Sequence, residues 1–172
     1  MHINFQTIEI QHLALLHRWF MQPHVTYWWP EPQEFDTFYA KWSERINTGL
    51  SAYHTPWHGH IIEIDTLPIG YIHHYQVKKD RYTEYPTIPN NAIGIDFFIG
   101  EQSHIGKKLS APVLGTYMDT VIKKQNPDVN TVIIDPAVTN TRAIHVYTKA
   151  GFKPLGVFNQ SQGTALLMYK HI

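Results

Sequence analysis

The sequence predicts a mixed α/β fold: a central mixed β-sheet flanked by helices, built as one domain over residues 1–172. Three observations carry this. Apolar residues switch along the chain between the two-residue period of strands and the helical period of about 3.6. The resulting order, β-α-α-β-β-β-α-β-α-β-β, is not a regular βαβ alternation, which argues against a doubly wound sheet. No Gly/Ser-rich, Pro-rich or charged linker, internal repeat or low-complexity tract divides the 172 residues, a length that suits one sizeable core.

In chain order, INFQTIEI alternates Ile3 and Phe5 with polar neighbours and reads as a first strand. Leu13, Leu16, Trp19 and Phe20 recur at helical spacing. The stretch PHVTYWWPEPQEF, punctuated by Pro23, Pro30 and Pro32, reads as loop. A second helix follows, with Phe35, Phe38, Tyr39, Trp42 and Ile46 on one face and Gly49 as its stop. HGHIIEID and LPIGYIHHYQV are strands joined by a tight turn near Asp65-Thr66-Leu67-Pro68. KKDRYTEYPTIPNN is an irregular excursion with Pro86 and Pro89, and AIGIDFFIG a strand ending at Gly100. Leu109, Val113, Leu114, Tyr117, Met118, Val121 and Ile122 mark an amphipathic helix, with Pro112 in its first turn, where a missing N–H is tolerated. VNTVIID is a strand, NTRAIHVYTKAG a helix, and FKPLGVF with TALLMYK a closing antiparallel pair.

Composition narrows the function. Lys and Arg total 14, as do Asp and Glu, so no net basic field exists to hold a nucleic-acid backbone. There is no cysteine, which excludes disulfides, thiolate metal sites and a thiol nucleophile. The opening MHINFQTIEI lacks the charged and apolar regions of a signal peptide, and no apolar run reaches the roughly 18 residues of a membrane span, so the expected location is the cytoplasm. Of the 12 histidines, His73 and His74 are adjacent on a strand and point to opposite faces. His58 and His60 share a face, but spacing fixes no third ligand beside them, and no metal site is expected.

Several side chains stand out by their setting. Asp96 lies inside a strand, where a carboxylate is costly without a partner. Asp135 ends the next strand before Pro136, in a place that also suits an Asp-Pro turn. Two carboxylates at the ends of adjacent central strands would make an anionic pocket that favours a cationic amine. Asn140 sits where a helix N-cap belongs. Tyr147 shares a helical face with Ala143 and Ile144 and by spacing alone is a core aromatic. Gly106 allows close backbone approach just ahead of a helix whose first N–H groups form an anion site.

The segments HLALLHRWF…HVTYWW, PIGYI, AIGIDFFIG, HIGKKLS and above all IIDPAVTNTRAIHVYTKAGF, in this order, cover most of the chain. Together they resemble the GNAT acyltransferase superfamily, in particular its aminoglycoside 6'-N-acetyltransferase branch. The resemblance implies an acetyl-CoA-dependent enzyme acting on a small amine, as a monomer or homodimer, without nucleic-acid or membrane partners. It assigns Asp96 as the group that receives the amine proton and Tyr147 as the acid at the coenzyme sulfur. Cofactor contacts fall on Phe98, Ile99, Ile105, Gly106, Lys107, Lys108, Leu109, Ser110, Asn140, Ala143 and Tyr147. The acceptor site falls on Trp28, Trp29, Asp96 and Asp135, with Glu31, Glu34 and Asp36 at its rim. One departure is plain. The family's phosphate loop reads Arg/Gln-x-x-Gly-x-Gly/Ala, whereas this chain has Lys108 at the later glycine and Ser110 at the last small position.

Two alternatives stand beside this reading. The Tyr- and Pro-rich excursion also resembles siderophore-type N6-hydroxylysine acyltransferases, although Asp96 stands where that branch has histidine, and only Asp80 and Glu84 in the excursion are acidic. Lys108 in the loop also fits an acyl-CoA-binding module that has lost the chemistry.

Overall fold

The computed structural model describes residues 1–160 and 163–172. Seven strands form a mixed sheet in the order β1-β2-β3-β4-β5-β7-β6, with helices flanking it. The strands are β1 Ile3–Thr7, β2 Trp57–Ile64, β3 Leu67–Gln76, β4 Ile93–Ile99, β5 Thr131–Ile134, β6 Lys153–Gln160 and β7 Gly163–His171. The helices are α1 Leu13–Phe20, α2 Pro23–Thr26, α3 Phe35–Thr48, α4 Ser110–Tyr117, α5 Lys123–Gln125 and α6 Thr141–Lys149. By contact density the chain forms two units, Met1–His73 with Phe97–Lys107, and His74–Asp96 with Lys108–Ile172.

The first unit is built on aromatic packing. Leu13, Leu16, Trp19 and Phe20, the helical stripe of α1, are all buried. Phe20 packs against Trp29, Phe38, Trp42 and Phe98 at centroid distances of 4.9–5.7 Å. In α3 the buried stripe is narrower than its spacing predicts: Phe38 and Trp42 are buried, while Phe35 and Tyr39 lie exposed on its flank. Gly49 ends α3 in the left-handed conformation, as its position in the sequence predicts. Strands β1 and β2 are antiparallel, Ile3 facing Ile64 and Thr7 facing His60.

Several boundaries differ from the sequence reading; β5, for one, starts at Thr131 and stops at Ile134, one residue before Asp135. β1 stops at Thr7, and a 3₁₀ turn, Ile10–His12, leads into α1. The predicted loop after α1 opens with α2, which Pro23 starts at the position where its missing N–H is harmless. The turn between β2 and β3 is only Asp65-Thr66, both at positive φ (47° and 70°), as a two-residue type I′ turn requires; Leu67 and Pro68 already belong to β3.

The second unit holds β5, β6 and β7, with α4, α5 and α6. β5 pairs antiparallel with β7, Ile133 facing Tyr169, and β7 with β6, with a register shift between Pro154 and Gly156. The amphipathic helix runs as α4, then a π-helical turn, Met118–Ile122, then α5. The Thr120 hydroxyl donates to the Thr116 carbonyl (2.7 Å), a local bond that competes with the helical ladder where the winding loosens. The excursion after β3 is not a free loop. Val77, Tyr82, Ile88 and Ala92 form one buried cluster with Ile133 and Leu167.

Candidate active site

The parallel pairing of β4 with β5 sets the geometry. Ile93 faces Val132 and Gly94 faces Ile133. Asp96 stands two residues beyond Gly94, and Asp135 two beyond Ile133. Asp96 keeps to the face of Gly94 within β4, and Asp135 follows directly after the last residue of β5, Ile134, near enough that the charge of Asp96 acts on its carboxyl. Glycine at 94 gives that face its depth. A Cβ there would meet the Tyr75 ring at 2.4 Å and its hydroxyl at 2.7 Å, so the phenol of Tyr75 lies over the strand just before Asp96.

Asp135 is held from two sides. Gln160 Nε2 donates to Asp135 Oδ2 at 2.7 Å, and the Tyr82 hydroxyl donates to the same oxygen at 3.4 Å. Burial, then the neighbouring charge of Asp96, pushes the Asp135 carboxyl up to about 7, against the opposing pull of Arg81 and of these two hydrogen bonds. The tyrosines sense the same pair. Burial first, then Asp96 and Asp135, raises the hydroxyls of Tyr75 and Tyr147; burial and Asp135 raise that of Tyr82. The second unit thus gathers two carboxylates and three phenols that stay protonated at neutral pH, a setting for binding an ammonium and moving its proton.

The remaining expected residues are placed as follows. Tyr147 is buried, while Ala143 and Ile144 on its face are half-buried. Asn140 caps α6, its side-chain oxygen accepting from the Ala143 N–H at 3.1 Å. In the loop ahead of α4, Gly106 has φ +81°, and no atom lies within 4 Å of where a Cβ would sit. Lys108 has φ +60°, the left-handed conformation that glycine adopts freely and that costs another residue about 1–2 kcal/mol. The lysine therefore holds a backbone shape that a glycine would take without strain. Gly106, Lys107 and Lys108 are exposed, and Ile105, Leu109 and Ser110 half-buried. Among the described residues no side chain caps the start of α4, so its first N–H groups point onward from the loop.

In the first unit the two tryptophans part company. Trp28 is 40% exposed and packs edge-on against Tyr27. Trp29 is half-buried among Phe20, Tyr71, His73 and Phe98. Phe98 belongs to the same aromatic core, and the Ile99 carbonyl accepts from His24 Nε2 at 2.9 Å. Glu31 is not a rim residue. Its side chain is 3% exposed and takes hydrogen bonds from Lys41 Nζ (2.7 Å) and Trp42 Nε1 (3.2 Å), so it is a buried counter-ion that ties the loop to α3. His73 lies among Trp29, Trp57 and Tyr71, whereas His74 Nδ1 is hydrogen-bonded to the Tyr117 hydroxyl at 2.8 Å. Among the described residues no group of three or more His, Asp or Glu side chains is arranged to hold a metal ion, and no helix is long and apolar enough to cross a membrane.

Sequence reasoning singles out Asp96, Asp135 and Tyr147 but not their neighbours Tyr75, Tyr82, Arg81 and Gln160. The signal for Tyr75 is present in Gly94, a strand-interior glycine that marks close approach. Nothing local points to Gln160.

The family model described as an acetyltransferase (GNAT) domain matches residues 9–160, across both units. The chain belongs to the GNAT acetyltransferase family. Members of this family are enzymes that use acetyl-CoA. The aminoglycoside N(6')-acetyltransferase type 1 of Klebsiella pneumoniae is 28% identical over 159 residues, covering 91% of this chain and 76% of that protein. Among solved structures, an uncharacterized protein of Bacillus halodurans is 26% identical, with a TM-score of 0.84 over 98% of this chain and 83% of its own. An aminoglycoside acetyltransferase, AAC(6')-Ib, in complex with coenzyme A and kanamycin shares the GNAT fold at a TM-score of 0.83 and 24% identity, covering 99% of this chain and 95% of its own. The loop before α4 fits a GNAT cofactor. Gly106 leaves open the space a side chain would fill, Lys108 adopts the glycine conformation, and the helix start is uncapped by side chains.

Proposed function

We propose that this GNAT enzyme transfers an acetyl group from acetyl-CoA to a primary amine of a small cationic acceptor of the aminoglycoside kind. The observation that carries the reading is the pair of carboxylates Asp96 and Asp135, one on β4 and one just past the end of its parallel neighbour β5, set among protonated phenols. The names of the relatives support it. The cofactor, when bound, supplies an activated acetyl thioester. In this reading the N–H groups at the start of α4, with Ile105, Gly106, Lys107, Lys108, Leu109 and Ser110, hold its diphosphate. Asn140 and Ala143 line its arm.

Each side chain then has a defined task. Asp135 binds the acceptor's ammonium, whose positive charge draws the raised carboxyl back toward its ionised form. Asp96 receives the proton that the ammonium must lose before its lone pair can attack. Tyr147, kept protonated by burial and by both carboxylates, donates its hydroxyl proton at the departing sulfur.

Purified protein is incubated with acetyl-CoA and a panel of amines, and thiol release and product mass are followed. Kanamycin is expected to be acetylated. Tyr147→Phe is expected to lower kcat by about 10- to 100-fold, with coenzyme affinity by titration calorimetry within about twofold of wild type. Turnover of N6-hydroxylysine in place of kanamycin would move the enzyme to the siderophore branch. Coenzyme binding with no thiol release on any amine would leave a binding module only.

A further inference from the structure

The excursion between β3 and β4, residues 77–92, is pinned onto β6 and β7 more firmly than its irregular sequence suggests. The Tyr85 hydroxyl donates to the Val157 carbonyl at 2.8 Å. A Cβ on Gly156 would meet the Tyr85 ring at 2.5 Å, so the glycine in β6 makes the seat for that tyrosine. Tyr82 is buried edge-on against Phe158, with ring centroids 5.3 Å apart. Held at these two points, the 3₁₀ turn Lys79–Tyr82 brings the Tyr82 hydroxyl to Asp135 and places the Arg81 guanidinium over the Tyr82 ring at 5.3 Å. Asp80 on the same turn is ion-paired with Lys78 at 3.4 Å.

A guanidinium held over the ring whose hydroxyl reaches Asp135 matters for the acceptor. Removing one positive charge from the surroundings of Asp135 would make the site a better host for cations, yet the fold anchors the segment that carries it. A guanidinium donates several hydrogen bonds, matches oxygen acceptors and repels a second ammonium, whereas the single Tyr82 O–H is given to Asp135. We propose that Arg81, positioned by Tyr82, forms a wall of the acceptor site that takes an oxygen-bearing part of the substrate, hydroxyl or carboxylate, and disfavours a second ammonium next to the reacting amine. Arg81 is thus a specificity-determining residue. The proposal rests on the reading of Asp96 and Asp135 as the acceptor site.

Kanamycin A and kanamycin B test it. They differ only in a hydroxyl (A) or an amino group (B) at one carbon of the sugar whose amine would be acetylated. Wild type is expected to prefer A in kcat/KM. Arg81→Gln is expected to move the A:B ratio toward B by about tenfold, the order of effect of one unit charge several ångströms away in a partly wetted site. Arg81→Lys, which keeps the charge, is expected to hold the ratio within about twofold. In wild type alone, added salt is expected to lower the preference for A. A shift under about threefold with Arg81→Gln, a shift toward A, an equal loss with Arg81→Lys, or a salt-independent ratio would each overturn the inference while leaving the acetyltransferase reading intact. No turnover of either compound would overturn both.

Discussion

In the proposed reading, Asp135 is a side chain that serves binding at the expense of stability. Its carboxyl is raised to about 7, first by burial and then by Asp96, so the fold favours its neutral form. For a group raised in the folded state, the stabilising contribution is full below the unfolded value, near 4, and is lost as pH rises through about 7. Asp135→Asn, neutral at every pH, is therefore expected to be more stable than wild type at pH 8. The gain is about 1 kcal/mol or more after allowance for the partial exposure of the side chain, and it shrinks toward zero by pH 4. The same variant is expected to raise the KM for the amine about tenfold, by removing the charge that faces an ammonium. Thermal unfolding at the two pH values and steady-state kinetics check both halves. A variant less stable than wild type at pH 8 would mean that Gln160, Tyr82 and Arg81 outweigh the burial of the charge.

At the scale of elements, glycine positions decide how closely strands and rings approach. A Cβ on Gly70, in β3, would lie 2.3 Å from the Phe98 carbonyl oxygen and 3.0 Å from the Ile99 Cα. Both are backbone atoms of β4, so no side chain can swing aside. Gly70→Ala is expected to cost about 3 kcal/mol, since the strands themselves must shift, and chemical denaturation measures it. An unchanged midpoint would mean that β3 and β4 separate there without penalty. Such positions also show what the sequence made legible. The period of α1, the glycine stop of α3 and the cap at Asn140 are local signals, and the structure has them where the spacing puts them. Asp96 was legible as a carboxylate inside a strand and Asp135 as one at a strand's end, which the structure sets just past β5. Their partners were not, because Tyr82 reaches Asp135 across 53 residues and Gln160 across 25, and no period links positions that far apart. The Pro-rich stretch after α1 hid a helix, since proline breaks a helix interior but starts a helix well. Glu31 read as a surface acid because nothing nearby in sequence shows that Lys41 and Trp42 enclose it.

At the scale of the whole molecule, equal numbers of acidic and basic residues leave little self-repulsion near neutrality, so the pH dependence of stability falls to individual buried groups. His60 is one of them. It is 4% exposed, and burial, then the nearness of His58 and His73, lowers its imidazole to about 4. A base lowered in the fold contributes stability that is complete above its unfolded value of about 6.5 and is lost as pH falls toward 4. Asp135 acts in the opposite sense, stabilising the fold as pH falls through 7. In wild type the two partly cancel between pH 7 and pH 5. His60→Gln removes the loss, worth about 2 kcal/mol at pH 5, and leaves the gain from Asp135. The variant is therefore expected to gain stability on acidification from pH 7 to pH 5 relative to wild type by about that amount, measured by denaturant unfolding at each pH. In the double variant with Asp135→Asn, stability over this range is expected to change little. Parallel curves for wild type and His60→Gln would show that the imidazole reaches water and titrates as it does in the unfolded chain.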